Sequence, residues 1–128
     1  FKTIGETQYG YAFGDQEVKI ITDLTIANSD SNRDDAAGIA FGSCKEGVID
    51  VAINADYWSE YSFNRRLILM WHELGHDVLN AAHIEGERAI MNTPIPDEYD
   101  LDIFKKEEAE LFNGTDLNFF DCDDPYFN

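Results

Sequence analysis

All three histidines of the chain lie in one stretch of 12 residues, which runs from His72 to His83 and reads HELGHDVLNAAH. Residues four apart lie on one face of a helix, so His72 and His76 can present two imidazoles to a single metal ion. Catalytic zinc usually takes three protein ligands, and His83 can supply the third. Glu73, beside the first ligand, can act on water without binding the metal. The pattern predicts a zinc site for metal-assisted hydrolysis, with Glu73 as general base.

A helix must position these residues, and the sequence indicates where it begins and ends. Ser59 or Ser62 can cap its first turn, and the helix should run through Asn80. Asn, after Gly, best tolerates the left-handed conformation that ends a helix, so Asn80 is the expected pivot toward His83. The residues expected to face the core are Leu67, Met70, Trp71, Leu74 and Val78.

This stretch resembles the metzincin zinc peptidases, whose motif HExxHxxGxxH precedes a turn that contains methionine. The residues that match are His72, Glu73, His76 and His83, followed by Met91 in AIMNTP. Met91 falls eight residues after His83, as it does in matrixins. Without the upstream motif, Met91 would be interpreted as a plain core methionine.

The match to the motif is not complete. His83 lies seven positions after His76 rather than six, and Asn80 stands in place of the glycine, one position late. We interpret the extra residue as one more helical position before the turn, since the spacing from Asn80 to His83 is that of the family's glycine and third histidine. Thr93 replaces the tyrosine of astacins and serralysins, so the resemblance is closer to matrixins.

The resemblance implies a zinc endopeptidase that cleaves proteins or peptides, with zinc polarising the scissile carbonyl and Glu73 taking the proton of water. It also implies that the segment GIAFG is an edge strand that pairs with an extended substrate. The implied substrate-binding residues are Gly38, Ile39, Ala40 and Phe41, with Ile95 and Tyr99 walling the pocket beside the scissile bond.

The chain of 128 residues is predicted to be a single α+β domain with a twisted mixed sheet, an active-site helix and a C-terminal helix. In the metzincin-like arrangement, residues 1–80 form the upper lobe and residues 81–128 a small lower lobe. Strands are expected over residues 17–26, 38–42 and 48–53, the last two as a hairpin, with a loop over 54–61. The C-terminal helix should run from Asp102 as N-cap to Phe112, before Asn113 and Gly114.

The composition is strongly acidic, with 26 Asp and Glu against 9 Lys and Arg and a net charge of -17. Such a surface repels phosphate backbones, which argues against nucleic-acid binding. No apolar run is long enough to cross a membrane. We expect a monomer that works in salty or calcium-containing surroundings, in an extracellular, periplasmic or cell-surface location.

Two further features carry alternative interpretations. Asp30, Asn32 and Asp34 are spaced to bind calcium, although the run lacks the glycine and distal glutamate of an EF-hand and a solvated loop is favoured. Cys44 and Cys122 are expected to form a disulfide, which would imply an oxidising compartment; two separate buried thiols are the alternative.

Two alternatives to the zinc peptidase remain open. In the first, a carboxylate replaces His83 as third ligand, as in gluzincins, and the candidates are Glu85, Glu87, Asp97 and Asp100. In the second, the chain is a non-catalytic acidic surface module or virion-associated module in which a metal only stabilises a small fold.

Overall fold

The computed structural model describes residues 1–10, 14, 17–21, 37–41, 47–84, 90–92 and 101–114. In chain order the elements are α1 (Lys2–Tyr9), β1 (Glu17–Ile21), β2 (Gly38–Ala40), β3 (Val48–Ile53), α2 (Ala55–Glu60), α3 (Phe63–Leu79) and α4 (Leu101–Asn113). The prediction of a small α+β fold with a mixed sheet and two principal helices is confirmed. None of the described helices is long and apolar enough to span a membrane.

The described strands form a three-stranded mixed sheet in the order β1-β3-β2. β3 is central because it pairs in parallel with β1 and antiparallel with β2. The antiparallel pair places Ile39 opposite Ala52, so the predicted pairing of these two segments is confirmed. Val51 and Ile53 pack with Leu69 of α3, whereas Ala52 packs with Ile39 on the opposite face. Helix α3 therefore lies against one face of β2 and β3.

The boundaries of α3 follow from its caps. The side chain of Ser62 accepts a hydrogen bond from the N–H of Arg65 at 3.2 Å, which satisfies one of the free donors of the first turn. Asn80 ends the helix in the left-handed conformation at φ 57° and ψ 27°, as predicted. Its backbone N–H and that of Ala81 both donate to the carbonyl of Gly75.

A second core lies on the side of α3 away from the sheet. Its buried residues are Ile68, Trp71, Ala81, Ile90, Met91, Phe104 and Leu111. The Trp71 ring packs edge-on against Phe104 of α4 at 5.4 Å and against Phe1 at 4.9 Å. Because both sides of α3 are covered, most of its C-terminal half is buried, including His72, Glu73 and His76. The core face predicted for this helix left out Ile68 and Leu69, which are buried. It included Leu74 and Val78, which are only half-buried.

The structure corrects three further predictions about the elements. Helix α1 was not expected, because its sequence shows little periodicity; it packs on α4 through tertiary contacts. Helix α2 replaces the expected loop after β3, and the side chain of Asn54 caps it by accepting the N–H of Asp56 at 3.0 Å. Asp102 lies in the first turn of α4 and is not its N-cap.

Candidate metal centre

His72 and His76 project from the same face of α3, one turn apart. Both are nearly buried, with 4% and 8% of their surface exposed. Their Nε2 atoms lie 3.0 Å from each other, and the two rings are almost perpendicular at 89°. The spacing of four residues therefore brings two imidazole nitrogens to one point, as predicted.

His83 reaches the same point from outside the helix. The left-handed turn at Asn80 redirects the chain, and the Nε2 atom of His83 lies 3.1 Å from those of both His72 and His76. Unlike the two helical histidines, His83 is exposed to solvent. The site therefore has two ligand candidates in the core and one at the surface.

Backbone carbonyls determine which ring nitrogen of His72 and of His76 carries the hydrogen. The Nδ1 of His72 lies 2.6 Å from the carbonyl oxygen of Ile90, and that of His76 lies 2.6 Å from the carbonyl oxygen of Ala81. A carbonyl can only accept, so each Nδ1 must carry the hydrogen and donate it. In a neutral ring this leaves a lone pair on Nε2, and both lone pairs point at the shared centre.

The environment keeps His72 neutral. Burial of the ring, followed by the neighbouring imidazole of His76, lowers the pKa of His72 from 6.5 to about 3. The hydrogen bond to Ile90 acts in the opposite direction, and His83 lowers the pKa further. A neutral imidazole is the form that binds metals.

The donor set fits a metal ion. The three histidines lie close enough to bind one ion, with ligand atoms separated by 3.0–3.1 Å. Two nitrogens bound tetrahedrally to zinc at about 2.0–2.1 Å are about 3.3 Å apart, so an outward shift of a few tenths of an ångström is enough. Lone pairs of neutral nitrogens repel one another at such distances, and a cation between them removes that repulsion. Imidazole ligands suit zinc, copper, iron and nickel.

Glu73 lies in the core between α3 and the strand β2. Only 4% of its surface is exposed, and a methyl group placed on Gly38 would lie 3.0 Å from its Oε1 atom and 3.1 Å from its Cγ. The absence of a side chain at Gly38 therefore leaves room for the Glu73 carboxyl group. This contact joins the predicted general base to the predicted substrate-binding strand.

Met91 packs beneath the histidine-bearing turn of α3. It is fully buried, and a methyl group on Gly75 would lie only 2.7 Å from its Sδ atom. The carbonyl of Met91 accepts a hydrogen bond from the N–H of Ile84 at 3.0 Å, which ties Met91 to the chain beside His83. The role of Gly75 was not predicted from the sequence. A glycine inside a helix costs about 1 kcal/mol relative to alanine, and that cost was the available signal of close packing.

The remaining predicted site residues have different outcomes. Gly38, Ile39 and Ala40 form β2 and Phe41 follows it; the side chain of Ile39 is buried on the face away from α3, and the predicted contact of this segment with a substrate is through its backbone. The other predicted residues lie outside the described parts of the chain: Ile95, Tyr99, Asp30, Asn32, Asp34, Cys44 and Cys122, as well as the alternative ligands Glu85, Glu87, Asp97 and Asp100.

The described residues thus contain three converging imidazoles, the buried carboxyl group of Glu73 next in sequence to the first of them, and a short strand against that carboxyl group. Protein-family models, curated proteins and solved structures were all compared with the chain, and none of them matches it.

Proposed function

We propose that this protein is a zinc-dependent endopeptidase of metzincin-like type, with zinc held by His72, His76 and His83. The observation that carries the proposal is the convergence of three imidazole Nε2 atoms within 3.0–3.1 Å of one another, next in sequence to a buried glutamate. A purely structural zinc site has four protein ligands and no use for a base at Glu73. Zinc, when bound, supplies a Lewis acid for the scissile carbonyl and acidifies water.

In the proposed reaction Glu73 moves the proton. Its carboxyl oxygen accepts a proton from the attacking water as the water oxygen bonds to the carbonyl carbon. The same oxygen then delivers that proton to the amine nitrogen as the C–N bond breaks, so one proton is taken up and one released in each turnover. Glu73 is buried and lies against Gly38, so its carboxyl group has few accessible orientations. This restriction favours proton transfer along one fixed direction.

The open edge of β2 supports an extended peptide as substrate. The N–H of Phe41 donates to the carbonyl of Asp50, and the carbonyl of Ala37 accepts from Asn54, so alternate residues of this segment bond to β3. In an antiparallel pair the intervening residues, Gly38 and Ala40, direct their backbone groups to the other edge. Within the described residues no strand pairs with that edge. A peptide added there would lie beside Gly38 and therefore near Glu73.

The proposed location of the protein is outside the cell or at its surface. A net charge of -17 suits extracellular or cell-surface work in salty surroundings, where carboxylates keep a protein hydrated. The same charge favours basic over acidic peptide substrates, because it attracts cations and repels anions at long range.

Replacement of Glu73 tests the proposal. Glu73→Gln keeps the size of the side chain but removes the base, so it should bind one zinc ion like the wild type and lose at least about 100-fold in peptide hydrolysis. The matched control is Glu6→Gln, since Glu6 is an exposed glutamate on α1 that pairs only with Lys2 in the described contacts. Zinc is measured by elemental analysis and hydrolysis with casein and a peptide library.

Two results would contradict the proposal. If Glu73→Gln hydrolyses casein as fast as the Glu6→Gln control, Glu73 is not the base. If the wild-type protein binds zinc but cleaves no peptide in the library, the metal has a structural role, and the non-catalytic module becomes the better interpretation.

A further inference from the structure

We propose that Glu107, on α4, is a positioning residue for the metal centre and orients His72 through the backbone of Ile90. The proposal rests on the three-histidine metal site but not on peptide hydrolysis. It would hold equally if the bound metal served another reaction.

The contacts form a short chain from α4 to the metal ligand. The Oε2 atom of Glu107 accepts a hydrogen bond from the N–H of Ile90 at 2.7 Å. The carbonyl oxygen of Ile90 accepts the hydrogen on Nδ1 of His72 at 2.6 Å. The N–H and the carbonyl of Ile90 flank one Cα atom, so holding the first restricts the direction of the second. Glu107 therefore orients His72 indirectly, because it holds in place the residue whose carbonyl accepts the His72 hydrogen.

Burial makes the first contact strong. Glu107 is 1% exposed and Ile90 is fully buried, so water cannot replace either partner. A buried N–H left without an acceptor costs about 1–3 kcal/mol, and a buried carboxyl group without donors is unfavourable as well. A buried glutamate on the helix that also carries the core residues Phe104 and Leu111 is therefore explained by the donor that it meets.

The segment that contains Ile90 and Met91 is held from several directions. His72 donates to the Ile90 carbonyl, Ile84 donates to the Met91 carbonyl, and Met91 packs against Gly75. Each of these three contacts comes from the region that carries the histidines. Glu107 adds a contact from α4, and so it ties the metal centre to a helix that contributes no ligand in the described structure.

Loss of the Glu107 contact should weaken metal binding. Without it the Ile90 carbonyl can turn away, and the His72 ring then loses the acceptor that keeps its hydrogen on Nδ1. Removal of a group that orients a metal-ligating histidine typically reduces metal affinity by about 10–100-fold.

Glu107→Asp is the most informative variant. It keeps the carboxyl group but shortens the side chain by one carbon–carbon bond of about 1.5 Å, so the oxygen no longer reaches the Ile90 N–H. Glu107→Gln keeps both the length and an acceptor oxygen. Glu108→Asp is the matched control, because Glu108 is a neighbouring buried glutamate on the same helix that contacts Lys105 and Tyr9 instead.

The affinity for zinc is measured at pH 7 by competition with a chromophoric chelator, with circular dichroism as a check of folding. We expect Glu107→Asp to bind zinc about 10–100-fold more weakly than wild type, and Glu107→Gln and Glu108→Asp to remain within about threefold. Wild-type affinity in folded Glu107→Asp, or equal weakening in Glu108→Asp, would overturn the proposal. Failure of the peptidase assay with these affinities intact would overturn the proposed function alone.

A second measurement applies if Glu107→Asp does not fold. In the wild-type protein the amide proton of Ile90 should exchange slowly with solvent, and its NMR signal should move when Glu107 is replaced by Gln, because the acceptor changes. An Ile90 signal that does not move in Glu107→Gln shows that the carboxyl group is not its partner and overturns the proposal.

Discussion

Met91 packs so closely against α3 at Gly75 that a side chain at that position would collide with it. The perturbation is Gly75→Ala, in the middle of the helix. The added methyl group would lie 2.7 Å from the Sδ atom of Met91 and 3.6 Å from Cδ2 of Leu111. Favourable contacts between such atoms are about 3.5–4.0 Å long, so the methionine sulfur must move by about 1 Å. Because Met91 is fully buried, its neighbours resist that movement.

Two opposing effects determine the change in the free energy of unfolding. Alanine is about 1 kcal/mol better than glycine inside a helix, whereas overpacking a close-packed core costs about 1–3 kcal/mol. Gly75→Ala should therefore lower stability by up to about 2 kcal/mol in the wild-type background. In a Met91→Ala background the obstacle is gone, so the same substitution should raise stability by about 1 kcal/mol. The resulting coupling is about 1–3 kcal/mol.

Urea unfolding of the four proteins of this double-mutant cycle, without metal, measures the coupling. Each protein is followed by Trp fluorescence and by circular dichroism, so that two-state unfolding can be checked. Equal effects of Gly75→Ala in both backgrounds would refute the packing of Met91 against Gly75 and, with it, the described position of Met91.

Three further outcomes are expected. Gly38→Ala should leave zinc affinity unchanged but reduce peptide hydrolysis about 10–100-fold, because its methyl group displaces the carboxyl group of Glu73; steady-state kinetics with parallel chelator competition measures both. His83→Ala should lose most of its zinc affinity in the same competition, and full retention would favour a carboxylate as third ligand. Without metal, the stability contributed by neutral His72 should be complete above pH 6.5 and should fall by up to about 1.4 kcal/mol per pH unit between pH 6.5 and pH 3. The reason is that between these pH values the unfolded chain takes up a proton on His72 and the folded protein does not. Urea unfolding of wild type and His72→Asn at several pH values measures the difference.

Much of the candidate site could be predicted because its determinants are local. The spacing of His72 and His76 is sufficient to place both rings on one helix face, and the caps at Ser62 and Asn80 belong to residue types with strong conformational preferences. Only two residues, Ala81 and Ala82, then separate the turn at Asn80 from His83, which meets the other imidazoles. Each of these features depends on a few neighbouring residues, which is why the pattern of the sequence predicted them correctly.

Other features depend on contacts between distant parts of the chain. Helix α1 forms on α4, and β1 pairs in parallel with β3, and neither partner can be read from local periodicity. Local periodicity also cannot predict the hydrogen bond from Ile90 to Glu107, because these two residues are 17 positions apart in the sequence. In the sequence Glu107 appears as one of several charged residues on an amphipathic helix, and the pattern alone predicts that such residues face solvent. Only the three-dimensional structure shows the buried donor that it meets.

Zinc-edge anomalous diffraction from crystals grown with the metal tests the central claim most directly. We expect one anomalous peak at about 2.0–2.1 Å from the Nε2 atoms of His72, His76 and His83, with no fourth protein ligand. A peak bound elsewhere, or one at His72 and His76 with the His83 ring turned away, would contradict it.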